Sequence, residues 1–396
     1  MRVLLATTAN DGHFGPLLPL ARAAVAVGHT VRVAAPQSFA GAVERAGLQH
    51  APFADAPPEL VGPVMAQLPV LSFDEANAVV IRDVFGRIDA QAALPSVIKT
   101  VEGWRPDVII REPAELGSLA AAVRAGIPHV QLSIGMTEMT RLLAGLLPEA
   151  LSELAPLADL PPDALTQACD EEVLLSSVPE ILDRAGDDAF DAEAVAYRFR
   201  AAESAESAAS PTGASPLPSW GDPDLPLVYV TFGSVTGSLP PFAGVFRQAL
   251  DGLADLPVRV LLTVGRGVDV AGLGPVPANA HVEPWWPQRD ALDYAAAVLG
   301  HGGYGTTMGA IEAGLPQVVA PIFTSDQVVN ARHVAAVGAG RAVDPGPDVV
   351  VEACAEISAV LGDPSYRQTA ETVAAAAAAL PPATEAVAMI ERLVQH

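Results

Sequence analysis

The sequence predicts an α/β protein with two domains, each built on a parallel β-sheet. Its 396 residues are too many for one ordinary domain and suit two of about 180–200 residues. Near the start, a strand over residues 2–7, a helix over 16–27 and a strand over 30–35 form a βαβ unit, which predicts a parallel sheet with a right-handed crossover. A strand at 227–232 has the features of the first strand of another domain, so we expect the same architecture to begin again there.

The segment 203–226 is rich in Ser, Ala and Pro and low in apolar residues, a composition typical of a linker. We therefore expect a first domain over residues 1–202, a second domain over 227–380, and a C-terminal helix over 381–396 that packs back on the first domain. Within the linker, Asp222-Pro223-Asp224 matches a metal–nucleotide motif, but no strand precedes it, so a turn is expected.

Charge and composition exclude several classes of partner. The net charge of −24 argues against nucleic acid and anionic membranes, although backbone N–H groups could still bind a phosphate. The sequence has no run of 18 apolar residues, so no membrane span is expected, and its start lacks the pattern of a signal peptide. The two cysteines, Cys169 and Cys354, lie far apart, and we expect buried thiols in a cytoplasmic protein.

Residues 297–330 contain a candidate anion site. A buried strand over 297–300 leads into the turn His301-Gly302-Gly303, and Thr306 and Thr307 then open a helix that stops at Gly314-Leu315-Pro316. Free N–H groups and the positive end of the helix dipole favour a phosphate or diphosphate there. The alternative is an ordinary βα turn with a buried histidine.

The first domain offers a candidate base and a carboxylate. The loop after the first strand carries His13 and lacks the G-x-G-x-x-G pattern, so no nicotinamide site is expected. His13 is either a general base or a residue that caps and packs the next helix. Glu112 follows the strand at 107–110, where it could face His13 and orient its ring. Alternatively, Glu112 is a surface acid at a helix start, and Glu115 is the competing candidate.

Further polar and aromatic side chains follow strands of the second domain. Trp285 offers a stacking surface for a nucleobase, and Gln288 could bond a ribose or base edge; a buried Trp pair is the alternative. Asp326 and Gln327 suit recognition of sugar hydroxyls. Segments 55–100 and 138–165 are expected to surround an acceptor pocket, and core packing is the alternative for each candidate lining residue: Phe53, Phe73, Phe85, Met136 and Met139.

Five of these motifs occur in one order. Taken together, Phe232-Gly233-Ser234, Trp285-x-Pro287-Gln288, His301-Gly302-Gly303, Gly314-x-Pro316 and Asp326-Gln327 resemble the nucleotide-sugar signature of inverting GT-B glycosyltransferases. The resemblance is greatest to actinobacterial enzymes that decorate macrolides, enediynes and other natural products. It implies an α/β protein of two Rossmann-like parallel-sheet domains that face each other across a cleft.

The resemblance also implies roles for individual residues. His13 would deprotonate the acceptor hydroxyl and Glu112 would orient it; the family usually has Asp there, so Glu115 is the fallback. Trp285 would stack on the base and Gln288 would hold the ribose. The remaining donor residues would be Ser234, His301, Gly303 and Thr306 on the diphosphate, with Asp326 and Gln327 on the sugar. No metal and no cofactor are expected, because these groups would neutralise the leaving group.

One departure from the family pattern bears on the donor. Members that use UDP-sugars commonly carry a ribose-binding Glu eight residues after the diphosphate histidine, where this sequence has Gly309. The sequence therefore favours a dTDP-sugar over a UDP-sugar as the donor. The predicted reaction is inverting, metal-independent transfer of a sugar from a dTDP- or UDP-sugar to a hydroxyl of a small natural product.

Two other functions fit the same fold. A nucleotide-sugar 2-epimerase would release an epimer without any acceptor. A non-catalytic auxiliary partner of another glycosyltransferase would not need both the base and the donor residues. The sequence leaves the oligomeric state open, with a homodimer as one alternative.

Overall fold

The computed structural model describes residues 1–201, 216–239 and 242–395. Residue 202, residues 203–215 of the predicted linker, residues 240–241 and residue 396 lie outside this part of the chain. Within it, no helix combines the length and apolar character needed to cross a membrane. Asp222 and Asp224 lie in a turn, where the Asp224 N–H donates to the Asp222 carboxylate at 3.0 Å.

Thirteen strands occur in the described residues. In chain order they are β1 (Arg2–Ala6), β2 (Thr30–Pro36), β3 (Gln49–Phe53), β4 (Val108–Arg111), β5 (His129–Leu132), β6 (Val173–Ser176), β7 (Tyr197–Arg198), β8 (Leu227–Thr231), β9 (Arg259–Thr263), β10 (Ala280–Glu283), β11 (Ala297–Gly300), β12 (Gln317–Val319) and β13 (Gly340–Ala342).

The α-helices of the same residues connect these strands. They are α1 (Asp11–Phe14), α2 (Leu18–Ala26), α3 (Ala40–Arg45), α4 (Pro58–Gln67), α5 (Phe73–Val79), α6 (Ala90–Trp104), α7 (Gly117–Ala125), α8 (Thr137–Leu146), α9 (Pro148–Leu154), α10 (Ala164–Glu171), α11 (Glu180–Asp183), α12 (Val245–Leu253), α13 (Gln288–Tyr294), α14 (Tyr304–Glu312), α15 (Ser325–Val337), α16 (Val349–Gly362), α17 (Pro364–Ala378) and α18 (Ala383–Gln395). A π-helix, Val80–Asp89, joins α5 to α6.

The chain divides into two compact units. The first comprises Met1–Ser177, Asp191–Ser204 and Leu380–His396, and the second comprises Val178–Phe190 and Ala205–Ala379. The predicted first domain thus differs from the first unit at 178–190, because α11 packs on α15 of the second unit. There the Leu182 carbonyl oxygen lies 3.0 Å from Nδ1 of the buried His333. The local sequence of α11 does not indicate whether the helix packs on the core of the first unit or on that of the second.

The first unit contains a seven-stranded sheet in the order β3-β2-β1-β4-β5-β6-β7, parallel throughout. Alternate residues of β1 point to opposite faces: Val3 and Leu5 enter one hydrophobic cluster, whereas Leu4 and Ala6 enter another. The C-terminal helix α18 packs on α2 and completes the first of these clusters with Ile390. Burial on both faces explains the nearly continuous apolar strands.

The second unit contains a six-stranded parallel sheet in the order β10-β9-β8-β11-β12-β13. Val228 and Val230 of β8 pack with α12 and α16 on one face, whereas Leu227 and Tyr229 pack with α13 on the other. Both units are therefore doubly wound α/β sheets, as the βαβ pattern of the sequence predicts.

Candidate active site

In each unit, strand order reverses beside the first strand. In the first unit β1 lies between β2 and β4, and in the second β8 lies between β9 and β11. Ligands of open parallel sheets bind beyond the carboxyl ends of the strands at such switch points. The residues that follow β1, β4, β8 and β11 are therefore the natural candidates for a site in each unit.

His13 follows β1 in the first unit. The sequence placed it in a loop, whereas the structure places it in the single turn α1, capped by Asn10, whose side chain accepts from the Gly12 N–H at 2.8 Å. This cap satisfies one of the free N–H groups of the turn, and the buried Phe14 anchors the turn to the core. The His13 side chain is 19% exposed, so its ring is fixed but accessible.

Glu112 follows β4 and meets His13. Its Oε2 lies 3.2 Å from His13 Nδ1, and the carboxylate accepts the N–H groups of Thr8 at 3.1 Å and Ala114 at 2.6 Å. Complete burial acts to raise the Glu112 pKa, but the charge and hydrogen bond of His13 and the two N–H groups outweigh it and hold that pKa below its usual range. Nδ1 of His13 also lies 3.1 Å from Thr8 Oγ1, so this ring edge faces the protein interior.

Glu115, the competing candidate, has a different place. Its carboxylate accepts the backbone N–H of Ser118 at 3.2 and 3.0 Å and so satisfies the start of α7. Burial raises its pKa to about 7. The structure therefore pairs His13 with Glu112, the first of the two acids that the sequence proposed.

A buried arginine holds the segment that carries Glu112. The Arg111 guanidinium donates to the carbonyl oxygens of Glu112 and Pro113, both at 3.3 Å, and forms a buried ion pair with Glu172. His129 Nδ1 lies 2.8 Å from the same Glu172 carboxylate. This network fixes the backbone at the end of β4. It therefore holds the Glu112 side chain in position through its main chain.

The π-helix places two further side chains beside His13. The Phe85 ring lies 5.8 Å from the His13 ring, centroid to centroid, with the planes tilted by 51°. Asp89, one turn later, lies within electrostatic reach of Glu112 and His13; burial and the Glu112 charge raise its pKa to about 6, against the opposing effect of His13. The sequence named Phe85 as a pocket residue and missed Asp89. Two other named candidates, Phe53 and Met136, are buried.

In the second unit, two glycines surround His301. A Cβ atom at Gly233 would stand 2.7 Å from His301 Nε2, and one at Gly303 would stand 2.5 Å from it, so only glycine fits at either position. Burial lowers the His301 pKa to about 4, so the imidazole is neutral near pH 7. A hydrogen bond between the ring and the Thr231 backbone acts on this pKa in the opposite direction. The ring is thus positioned as a neutral polar group at the start of α14.

The turn before α14 is fixed by α15. Gly302 has φ +88°, and a Cβ atom there would stand 2.7 Å from the Gln327 carbonyl oxygen. The Asn330 side chain donates to the Gly302 carbonyl oxygen at 2.7 Å. The Gln327 side chain accepts the N–H groups of Ile322 at 2.8 Å and Phe323 at 3.1 Å. Gln327 therefore holds the loop after β12, a use that the sequence did not suggest.

Gln288 and Thr306, which the sequence assigned to separate parts of the donor, bond each other. Thr306 Oγ1 donates to Gln288 Oε1 at 3.3 Å, and Gln288 Nε2 donates to the Gly305 carbonyl oxygen at 3.0 Å. The amide lies directly across Gly309, where a Cβ atom would stand 2.5 Å from Nε2. Gly309 therefore has a structural use, because it leaves room for this amide.

The remaining predicted donor residues lie at the same edge of the second sheet. Ser234 is exposed after β8, and Trp285 is 41% exposed after β10. Asp326 lies in the first turn of α15. Arg266, which the sequence did not single out, lies over the Trp285 ring at 4.2 Å from its centroid. Within the described residues, no group of three or more His, Cys, Asp or Glu side chains could hold a metal ion.

Solved structures with the same architecture identify the fold class. The crystal structure of the glycosyltransferase SnogD from Streptomyces nogalater is 25% identical, with a TM-score of 0.73 over 100% of this chain and 99% of that chain. The glycosyltransferase VinC, solved in complex with dTDP, is 22% identical, with a TM-score of 0.75 over 100% of both chains. With the two parallel sheets, these similarities define a glycosyltransferase of the GT-B fold class.

Sequence comparison gives the family. Residues 22–185 match the N-terminal domain and residues 247–393 the C-terminal domain of the erythromycin biosynthesis protein CIII-like family. L-demethylnoviosyl transferase from Streptomyces niveus is 32% identical over 384 residues, which are 94% of this chain and 93% of that protein. The chain belongs to the erythromycin biosynthesis protein CIII-like family and is a nucleotide-sugar glycosyltransferase of natural-product biosynthesis. The predicted enzyme class and fold are confirmed.

Proposed function

We propose that the protein transfers a sugar from a dTDP-sugar to a hydroxyl of a small natural product in one displacement that inverts the anomeric carbon. The observation that carries this proposal is the 3.2 Å contact between His13 Nδ1 and the buried Glu112 carboxylate. A histidine oriented by a carboxylate is the arrangement of a general base.

In the proposed reaction, His13 accepts a proton from the acceptor hydroxyl. Nδ1 faces Glu112 and Thr8, so Nε2 is the nitrogen assigned to the acceptor. As the proton moves to Nε2, the acceptor oxygen forms a bond to the anomeric carbon, and the bond from that carbon to the diphosphate oxygen breaks. The ionised Glu112 stabilises the imidazolium that results.

The leaving diphosphate takes the electron pair of the broken bond. The N-terminus of α14, where the positive end of the helix dipole lies, is assigned to this charge. Neutral His301 is assigned as a hydrogen-bond donor, which agrees with its lowered pKa. We propose that these groups act without a metal ion.

The donor nucleotide is proposed to carry thymidine. The position where UDP-sugar enzymes commonly hold a ribose-binding Glu is Gly309, and the space above Gly309 is filled by the Gln288 amide. The related structure of VinC contains dTDP, which supports the same choice. A UDP-sugar is the alternative donor. The cytoplasmic location and the homodimer stay predictions.

The test uses the purified protein, a dTDP-sugar and a panel of hydroxylated acceptors. We expect product with inverted configuration, and we expect His13→Ala to lose transfer by about 10²- to 10⁴-fold while binding dTDP as before. His50→Ala is the matched control, since His50 lies in the first unit and contacts only the Ala35 carbonyl oxygen in the described hydrogen bonds. Undiminished turnover by His13→Ala, or a product of retained configuration, would contradict the mechanism.

A further inference from the structure

One face of Trp285 is already covered by a cation. The Arg266 guanidinium carbon lies 4.2 Å from the centroid of the indole, within the range of a cation–π contact. Trp285 nevertheless remains 41% exposed. A planar guanidinium stacked at this distance covers one face and leaves the rest of the indole surface open to a ligand.

The backbone places Arg266 at the predicted donor site. It follows β9, the strand between β8 and β10, at their shared carboxyl edge. Gly265 turns the chain there with φ +97°, and a Cβ atom at Gly265 would lie 3.8 Å from the Ser234 carbonyl oxygen. The backbone beside Arg266 thus lies next to the loop that carries Ser234, while the guanidinium lies over Trp285.

Arg266 has no carboxylate partner within ion-pair distance among the residues that the structure describes, and its side chain is exposed. In contrast, two partly exposed arginines of this unit pair with acids, Arg247 with Asp251 and Arg341 with Glu356. An unpaired arginine stacked on an aromatic ring keeps its full charge for a third group.

The proposed diphosphate site needs such a charge. Burial lowers the pKa of His301 to about 4, so this residue brings no formal charge near pH 7. The chain as a whole carries a net charge of −24, which repels an anionic nucleotide-sugar. A helix N-terminus offers only about half a unit charge.

We propose that Arg266 is a donor-binding residue with two effects. Its guanidinium backs the Trp285 indole, so that the free face is held flat for the nucleobase, and its charge attracts the diphosphate. This inference rests on the proposed nucleotide site. It adds Arg266 to that site, together with the attraction between its positive charge and the diphosphate.

Two ligands separate the effects. Thymidine reports the stacked surface alone, and dTDP reports the surface and the charge. We would measure both dissociation constants by calorimetry at low and high salt for the wild type, Arg266→Lys, Arg266→Gln, Arg266→Ala and Trp285→Ala. Arg45→Ala, an exposed arginine on α3 in the first unit, is the matched control for loss of one positive charge.

We expect Arg266→Ala to weaken thymidine binding about threefold and to reduce the additional affinity for dTDP about fivefold at low salt. Arg266→Lys should keep the charge effect and lose most of the stacking effect. Arg266→Gln should lose the charge effect and with it part of the salt dependence. Arg45→Ala should bind both ligands as the wild type does.

Unchanged binding of both ligands by Arg266→Ala, with weakened binding by Trp285→Ala, would overturn the role of Arg266 and leave the donor site in place. Unchanged dTDP binding by both variants would overturn the donor site and this inference together. An absence of dTDP binding by the wild type would do the same.

Discussion

The side-chain amide of Gln288 lies across Gly309, with its Nε2 2.5 Å from the position that a Cβ atom would take. Glycine in a helix interior costs about 1 kcal/mol relative to alanine. Gly309 lies inside α14, where alanine would stabilise the helix more than glycine does. The structure explains the glycine by the space that the amide needs, and this amide bridges α13 to α14 through Gly305 and Thr306.

Gly309→Ala should therefore displace Gln288 without unfolding the protein. The clash is with the end of a flexible side chain, so the amide moves and loses its bonds to Gly305 and Thr306. We expect dTDP affinity to fall about three- to tenfold, since the displaced amide loses its proposed hydrogen bond to the ribose, and one such bond contributes about 1 kcal/mol. Calorimetric titration with dTDP measures this change.

A double-mutant cycle tests the cause. If Gly309 acts through Gln288, then Gln288→Ala and the double variant should bind dTDP equally well, so that the two changes are not additive. Gly362→Ala, at the end of α16 with open space at its Cβ position, controls for helix propensity. Fully additive losses of dTDP affinity would show that Gly309 affects donor binding independently of Gln288.

Glu112→Gln should lower kcat and leave dTDP binding intact. The amide keeps the shape of the carboxylate but removes the charge that faces His13 Nδ1 at 3.2 Å, so the imidazolium loses its stabilisation. We expect a loss of about 10- to 100-fold, smaller than for His13→Ala. Initial rates with a saturating donor measure it, and an equal or larger loss from Glu115→Gln would contradict the assignment.

Glu115 should make stability depend on pH with a defined sign. Its folded-state pKa is raised from 4.5 to about 7, so between these values the folded protein holds a proton that the unfolded chain releases. The contribution of Glu115 to the free energy of unfolding is therefore greatest below pH 4.5. It decreases as the pH rises to about 7. The contribution of Glu115 to the urea midpoint should decline across this range.

Glu115→Gln should remove that part of the decline, because the amide does not ionise. Its urea midpoint should exceed that of the wild type increasingly as the pH rises from about 4.5 to about 7. Glu59→Gln, an exposed position on α4, serves as the control. Parallel curves for the wild type and Glu115→Gln would show that the carboxyl is ionised in the folded protein.

Asp89→Asn should shift the pH dependence of transfer. Asp89 has a pKa of about 6 and faces His13 and Glu112, so above that pH its charge favours protonated His13. Since the base must be neutral to accept a proton, removal of this charge should move the acid limb of kcat/KM to lower pH by about half a unit. An unchanged profile would place Asp89 outside the electrostatic surroundings of the base.

The sequence predicted the pairing of His13 with Glu112 for a general reason. Both residues follow strands of one parallel sheet, and the carboxyl ends of such strands meet at one edge. Asp89 could not be found in this way, because it lies at the end of a π-helix whose place beside His13 depends on packing. Arg266 was missed because an exposed arginine after a strand resembles a solvated side chain until Trp285 is seen beneath it.

Gln288 and Gly309 also show what the sequence predicts and what only packing decides. The motif predicts that Gln288 belongs to the donor site, and the sequence at Gly309 indicates only that a ribose-binding side chain is missing. Only the packing of α13 on α14 shows that the amide occupies the space of that side chain.

The sequence by itself determined two doubly wound parallel sheets, the residues at their switch points and the enzyme class, because periodicity, glycine turns and motif order are local properties of the chain. The tertiary structure decided which acid meets His13, why His301 is neutral and what lies over Gly309 and Trp285. Burial and contact across elements set charge and free space at these positions, and both depend on residues that are distant in sequence.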